Sequence, residues 1–237
     1  MLSTEVTETF LRRGYVELQN IFTYADVLNV QKASREILAA RAGKYQHAEA
    51  FKIAFEQMTE HYIDPHKHSS TFAALPSRFD LPAIAQEVLD AKVVLWSSLL
   101  LCSPKGASHG QSWHQDLDAT VEQRAACNLL FYPFGMNKDT DRIVVVPGSN
   151  RGNRLPAGEA FGPIKGQVEL TIPTTSLLVL DCGTFHMVPR NQSSCMRLAV
   201  NYRYRKEGLG PSFLNRGVYR GGIYDFKQQK IVDQSGI

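Results

Sequence analysis

The spacing of apolar residues divides the chain into two textures. Up to about residue 91 they recur at helical intervals; from Lys92 onward they fall in short runs punctuated by Pro, Gly, Asn and Ser. In the first part, residues 3–13 read as a short helix that Ser3 or Thr4 can cap. Val6 and Phe10 share one face, and Gly14 can supply a left-handed stop. Residues 15–18 alternate like a strand. Thr23 opens a longer helix with Asp26 three residues on to answer the cap; its inner stripe is Val27, Val30, Ser34, Ile37 and Leu38, and Gly43 ends it. Phe51, Phe55, Met58 and Tyr62 predict a further helix over 48–62, and residues 63–70 read as loop. Asp80 caps a last helix with Pro82 in its first turn and Leu81, Ile84, Val88 and Leu89 on its apolar side.

In the second part, residues 93–102, 125–132, 142–146, 167–172, 176–181 and 196–204 are rich in Val, Leu, Ile and aromatic residues and predict strands. Regularly spaced short strands of this kind suit a barrel or a jelly roll. Helices first and strands afterwards predict an α+β, mainly β fold, with the helices packed outside a sheet. We expect a single domain over 1–237: a mostly helical flank (1–91), a strand-built core (92–205) and a C-terminal extension (206–237).

Composition agrees with an ordinary globular protein: 237 residues, 43% hydrophobic and 21% charged. A formal charge of +3, with the basic residues scattered, does not suit nucleic acid. Residues 1–10 lack a cationic start followed by an apolar core, so no signal peptide is expected. The longest apolar stretch, 93–102, is far too short to span a bilayer, so no membrane partner is expected. Cys102, Cys127, Cys182 and Cys195 stand singly in apolar runs and read as reduced core residues, which places the protein in the cytoplasm.

The candidate chemistry begins at Gln111-Ser112-Trp113-His114-Gln115-Asp116. In an extended segment His114 and Asp116 share a face and can grip one ion. A second imidazole, His186, follows the apolar run 177–182 and would be held at a strand end. Two histidines and a carboxylate with open positions form the facial arrangement of non-haem Fe(II) oxygenases. The other histidines suit duller roles. His47 and His61 lie in polar, helix-like surroundings, His66 and His68 in a Pro/Ser loop with no obvious third ligand, and His109 suits the entrance.

In the strand beyond His186, Arg197, Ala199 and Asn201 share one face, while Leu198, Val200, Tyr202 and Tyr204 share the other. The arginine face is the candidate barrel interior. A buried arginine needs an anion, and a bound dicarboxylic acid would match its fork bidentately.

These residues resemble the phytanoyl-CoA dioxygenase family of Fe(II)- and 2-oxoglutarate-dependent oxygenases. The resemblance is carried by Phe10-Leu11-Arg12-Arg13-Gly14-Tyr15-Val16, by Trp113-His114-Gln115-Asp116, and by Val145-Val146-Pro147-Gly148-Ser149-Asn150-Arg151. His186, Asn191, Ser194 and Arg197 follow in the family's order. It implies a double-stranded β-helix (a cupin-like jelly roll), with His114, Asp116 and His186 as metal ligands and Arg197 on the distal carboxylate of 2-oxoglutarate. It also implies dioxygen as co-reactant, succinate and carbon dioxide as products, and hydroxylation as the default outcome; Asp116 argues against halogenation, which needs an open iron position there.

Three departures stand out: Val188 where such families often place Ser or Thr, Asn150 where the proline-glycine motif usually ends in His, and Asp141-Arg142 where glycine is common. Asn128, polar inside an apolar strand, is a candidate for another cosubstrate contact or a hydrogen-bonded strand amide. Loops around 44–80, 152–166 and 208–224, with Phe161, Phe213, Tyr219 and Tyr224 and Arg154, Arg216 and Arg220, would frame the entrance and suit a polar or acidic small molecule. Two rival readings keep the same cluster: a cupin-like metal hydrolase or isomerase, and a non-catalytic jelly-roll binding protein.

Overall fold

Two antiparallel sheets face each other, and the helices lie on the outer side of one of them. The computed structural model describes residues 2–42, 60–103, 110–117, 123–136, 142–151, 159–191, 197–209, 216–219, 222–225 and 230–232. The N-terminal part contains α1 (Thr4–Arg13), β1 (Tyr15–Leu18), α2 (Tyr24–Ala42), β2 (Glu60–Ile63), α3 (Ser70–Arg78) and α4 (Leu81–Leu89). Then come β3 (Val93–Ser103), β4 (Gln111–Gln115), β5 (Ala126–Phe131), β6 (Ile143–Val145), β7 (Val168–Leu170), β8 (Leu177–Asp181), β9 (His186–Val188) and β10 (Arg197–Lys206). The C-terminal stretch adds β11 (Arg216–Tyr219), β12 (Gly222–Asp225) and β13 (Lys230–Val232).

One sheet runs in the order β1-β8-β5-β10-β3-β2, the other β13-β12-β11-β4-β9-β6-β7. This is the mainly β, jelly-roll architecture expected, with flanking N-terminal helices. Strand alternation divides the core. Leu198, Val200, Tyr202 and Tyr204 of β10 pack with Phe10, Val30, Phe72, Leu81 and Val88 of the helices. Ala199, two residues from Arg197, instead joins Leu130, Ile143, Leu178 and Leu180 between the sheets. The face of β10 assigned to the interior is the one found there.

The helix caps follow the sequence at α1 and α2. Ser3 Oγ accepts from Val6 N at 3.3 Å, and Gly14 ends α1 at φ 79°. Thr23 and Asp26 cap each other reciprocally, at 3.0 and 3.2 Å. At α4, Asp80 occupies the cap position in a left-handed conformation, but its side chain makes no capping bond.

Two expectations change. The helix over 48–62 falls mostly outside the described residues, but its end, Glu60–Ile63, is a strand paired with Leu99–Cys102 of β3. The open edge of β3 offers backbone hydrogen bonds that outweigh the helical spacing of Tyr62. Residues 70–78 form α3, which the Ser and Pro content obscured; it buries Phe72 and Leu75 and carries Pro76 within it.

A latch joins the end of α1 to the turn between β8 and β9. Gly14 O accepts from Asp181 N at 2.8 Å and from Thr184 Oγ1 at 3.0 Å, and Gly148 N donates to Arg13 O at 2.9 Å. Asp181 is buried. Its carboxylate accepts from Gly183 N at 2.8 Å and Asn150 Nδ2 at 3.3 Å. Burial nevertheless pushes its carboxyl up to about 6. A folded pKa above the unfolded value means the native state holds the extra proton, so stability falls as pH rises from about 4 to about 6 and is flat above. Asp181→Asn should therefore be more stable than wild type at pH 7.5, by on the order of 2–3 kcal/mol, and lose that advantage toward pH 4. Urea denaturation at the two pH values checks this. Asn150 Oδ1, buried without a hydrogen-bond partner, can receive the new amide once its own amide turns over.

Candidate functional site

His114 and His186 sit directly opposite each other on β4 and β9. Their rings tilt together with centroids 4.1 Å apart. Asp116 follows β4, anchored by Asp116 N donating to Cys182 O at 2.8 Å. His114 Nε2 lies 3.7 Å from one carboxylate oxygen and His186 Nε2 lies 3.8 Å from the other. All three side chains are buried, and their ligand atoms lie within 4.8 Å of one another.

The orientation of each histidine is set by backbone. His114 Nδ1 bonds Ser112 O at 2.6 Å, and His186 Nδ1 bonds Thr184 O at 3.0 Å. Each ring therefore turns its Nε2 toward Asp116, the orientation that a carbonyl bonded to the other ring nitrogen gives a histidine at a metal centre. Trp113, on the opposite face of β4, fixes that strand from outside: its Nε1 donates to Gly162 O at 2.6 Å and its backbone N to Ala160 O at 2.9 Å. On the far side, Ser149 of the Pro147-Gly148-Ser149-Asn150 motif holds the approach to His186, with Phe185 N donating to Ser149 Oγ at 2.8 Å. The motif that reads in sequence as a family signature thus braces the backbone beside His186.

Electrostatics suit a divalent cation. Burial, reinforced by the neighbouring His186, pushes the His114 imidazole down to about 3, so it offers a lone pair throughout the physiological range. Burial alone would raise the Asp116 carboxyl. Arg203, then His186 and His114, with a hydrogen bond from Asn128, hold it well below the usual carboxylate range. A carboxylate and two imidazoles whose ligand atoms converge would fit an octahedral iron with open positions.

The three side chains open onto a cavity of about 110 Å3. Arg197 lines the same cavity, buried, with Nη1 donating to Pro189 O at 2.9 Å. Val188 is there as well, without a hydroxyl to offer. Directly across from Arg197 in the β10–β3 register is Ser103, which lines the cavity with its Oγ buried and without a hydrogen-bond partner. Asn128 also lines it. Its Nδ2 donates to Asp116 Oδ2 at 2.6 Å, while its Oδ1 accepts from Asn201 at 2.9 Å and Arg203 at 2.9 Å. A direct cosubstrate contact by Asn128 requires one of these bonds to give way.

Sequence reasoning missed Ser103 and Arg203. Arg203 Nη2 donates to Asp116 Oδ1 at 3.2 Å, which makes it the cation beside the ligand carboxylate. Among the other histidines, His66 Nδ1 bonds Ser98 Oγ at 2.6 Å and His68 stands edge-on to Tyr62; neither joins the cluster. His47 and His109 lie outside the described residues, as do Arg154, Phe213, Arg220 and Cys195. Cys102, Cys127 and Cys182 are buried and form no disulfide among the described residues. No described helix is long and apolar enough to cross a membrane.

Comparison with known proteins agrees with this geometry. The chain is 24% identical over 203 residues to the uncharacterized protein Rv1501 of Mycobacterium tuberculosis, covering 81% of this chain and 71% of that protein. Among solved structures it is similar to the non-haem α-ketoglutarate-dependent carbocyclase SnoK from nogalamycin biosynthesis (TM-score 0.71, 16% identity, 92% of this chain and 87% of that one). It is also similar to EctD from S. alaskensis with 2-oxoglutarate and 5-hydroxyectoine (TM-score 0.70, 22% identity, 86% and 76%). A third is AviO1 from Streptomyces viridochromogenes Tue57 (TM-score 0.68, 19% identity, 88% and 96%). At these identities the likeness is one of fold. The sequence model of phytanoyl-CoA dioxygenase (PhyH) matches residues 10–199, a span that holds the α1 latch, all three ligands and Arg197. The chain therefore belongs to the phytanoyl-CoA dioxygenase family and is an Fe(II)- and 2-oxoglutarate-dependent oxygenase.

Proposed function

We propose that the protein hydroxylates a C–H bond of a small-molecule metabolite or natural-product intermediate, as a single-domain cytoplasmic enzyme. The observation that carries this reading is one buried cavity with the His114–Asp116–His186 cluster on its wall and Arg197 at the other end of its β10 face. Bound iron supplies the oxidising chemistry, coupling decarboxylation of 2-oxoglutarate by dioxygen to oxidation of the substrate. The chain's own work is to hold and orient. His114, Asp116 and His186 would hold the metal, and Arg197 would take the distal carboxylate of 2-oxoglutarate. Ser103 would add the second contact that Val188 lacks, its free hydroxyl facing the same carboxylate across the strand pair. Asn128 would act through Asp116, fixing the carboxylate by the hydrogen bond at 2.6 Å. Leu101, Leu130, Ile143 and Ala199 give the cavity an apolar lining that excludes water around the cosubstrate chain. EctD, solved with 5-hydroxyectoine, and SnoK, a carbocyclase of nogalamycin biosynthesis, support a small-molecule substrate.

Iron-loaded protein should bind 2-oxoglutarate and, with its substrate, form succinate in step with consumption of dioxygen. Protein that binds no 2-oxoglutarate in the presence of iron would overturn the proposal. Arg197→Ala should raise the dissociation constant for 2-oxoglutarate roughly a hundredfold, since removing one member of a buried charge pair costs about 2–5 kcal/mol. Iron affinity measured by competition with a chelator should barely change.

A further inference from the structure

Past the metal ligands, the inward face of β10 carries two more arginines. Alternation from Arg197 through Ala199 and Asn201 places Arg203 and Arg205 on that face. Their pairing with Asn128 and Ala126 of β5 is regular, with no register shift between those strands. Arg203 lines the cavity with its side chain 18% exposed, its Nε on Asn128 and its Nη2 on Asp116. Arg205 follows, with Nε and Nη1 buried and no hydrogen-bond partner for either. Buried guanidinium N–H groups without acceptors are costly, and they mark a place where an acceptor belongs.

The charges point the same way. Among the described residues that line the cavity, Arg197 and Arg203 are the cations and Asp116 is the anion. When iron and the 2-oxoglutarate dianion are bound to neutral imidazoles, their charges cancel. Asp116 offsets one arginine, so one positive charge remains, and Arg205, two residues further along the same face, adds another. Arg197 and Arg203 are six residues apart, about 20 Å along the strand. Arg197 can hold the cosubstrate's far end while Arg203, bonded to Asp116, and Arg205 beyond it lie at the opposite end of that face.

We propose that Arg203 and Arg205 form an anion subsite for the substrate, so that the molecule oxidised is an organic acid. Its carboxylate or phosphate engages the two guanidinium groups and fixes the reacting C–H bond beside the metal. The inference rests on the iron and 2-oxoglutarate reading above. A planar fork of donors fits either oxyanion bidentately, which a neutral amide cannot reproduce.

The test is anaerobic calorimetric titration of the Fe(II)- and 2-oxoglutarate-loaded protein with hexanoate, hexyl phosphate and hexanamide. At least one anion should bind roughly tenfold or more tightly than hexanamide, and the winner tells carboxylate from phosphate. Arg203→Met and Arg205→Met should each abolish the preference. Arg205, which does not touch Asp116, provides the variant in which the ligand carboxylate is undisturbed; there the dissociation constant of 2-oxoglutarate should stay within about threefold of wild type. Equal binding of all three probes, or of none, overturns the subsite. So does an Arg203→Met protein that loses 2-oxoglutarate as severely as Arg197→Ala, because Arg203 would then serve the cosubstrate. A wild-type protein that binds iron but no 2-oxoglutarate fails at the earlier step and is recognised as such before any probe is added.

Discussion

Asp116→Ala should abolish iron-dependent formation of succinate and weaken metal binding by at least about a hundredfold, because even residues behind a ligand are commonly worth ten- to a hundredfold. Asp116 is the anionic member of the cluster, 1% exposed, and lies between the two Nε2 atoms. Its loss removes a ligand and also strips Arg203 and Asn128 of the acceptor they share. The orphaned guanidinium is partly open to solvent, so the structural penalty should fall below the roughly 3–5 kcal/mol typical of a fully buried broken pair. Folding should survive while chemistry does not. Far-ultraviolet circular dichroism and chelator competition with Fe(II) separate the two, and wild-type succinate formation by a folded Asp116→Ala protein would remove Asp116 from the ligand set.

The cluster of His114, Asp116 and His186 was legible in the sequence because each member lies where local pattern is strong. His114 and Asp116 obey the two-residue period of an extended chain, and His186 follows an unbroken apolar strand. Arg197 was legible for the same reason, since its strand alternates cleanly as far as Tyr202. Arg203 lies on the same face two residues past Asn201. It was lost in the run Arg203-Tyr204-Arg205-Lys206, where charge normally marks solvent. Here the usual rule is inverted: Tyr202 turns toward the helices and donates its hydroxyl to Phe72 O at 2.5 Å, while the arginines face inward. Extending the parity of Arg197 would have found it. Ser103 needed more than parity, because only the β10–β3 register shows that it stands opposite Arg197. The strands β2 and β11–β13 have weak patterns of their own; β2 and β11 form by hydrogen bonding to neighbours distant in sequence, β3 and β4, and β12 and β13 add on to β11 in turn. That information is in the fold and not in any window of residues.

Gly14→Ala should be the most damaging substitution outside the ligand set. Gly14 adopts φ 79°, a conformation that costs a non-glycine residue roughly 1–2 kcal/mol. A Cβ there would meet Thr184 Oγ1 at 2.1 Å and Asn150 Cγ at 2.9 Å. Neither neighbour can yield cheaply. Thr184 is fully buried and bonds back to Gly14 O, while Asn150 holds Asp181. Relief would have to come from separating α1 and β1 from the β8–β9 turn, which undoes Asp181 N to Gly14 O and Gly148 N to Arg13 O together. Strain, clash and lost hydrogen bonds sum to several kcal/mol, a large part of the 5–15 kcal/mol that holds a typical domain together. The expected result is a fall in melting temperature of about 10 °C or more, or failure to accumulate as soluble protein. Because the displaced turn carries Thr184, whose carbonyl orients His186, any folded fraction should also bind iron more weakly than wild type. Thr184→Ser tests whether the latch, and not merely the bulk at residue 184, is responsible: it keeps the hydroxyl that bonds Gly14 O and should leave iron affinity close to wild type, whereas Thr184→Val should lower it. Equal melting temperatures and equal iron affinities for wild type and Gly14→Ala would show that the N-terminal helix is dispensable to the metal centre.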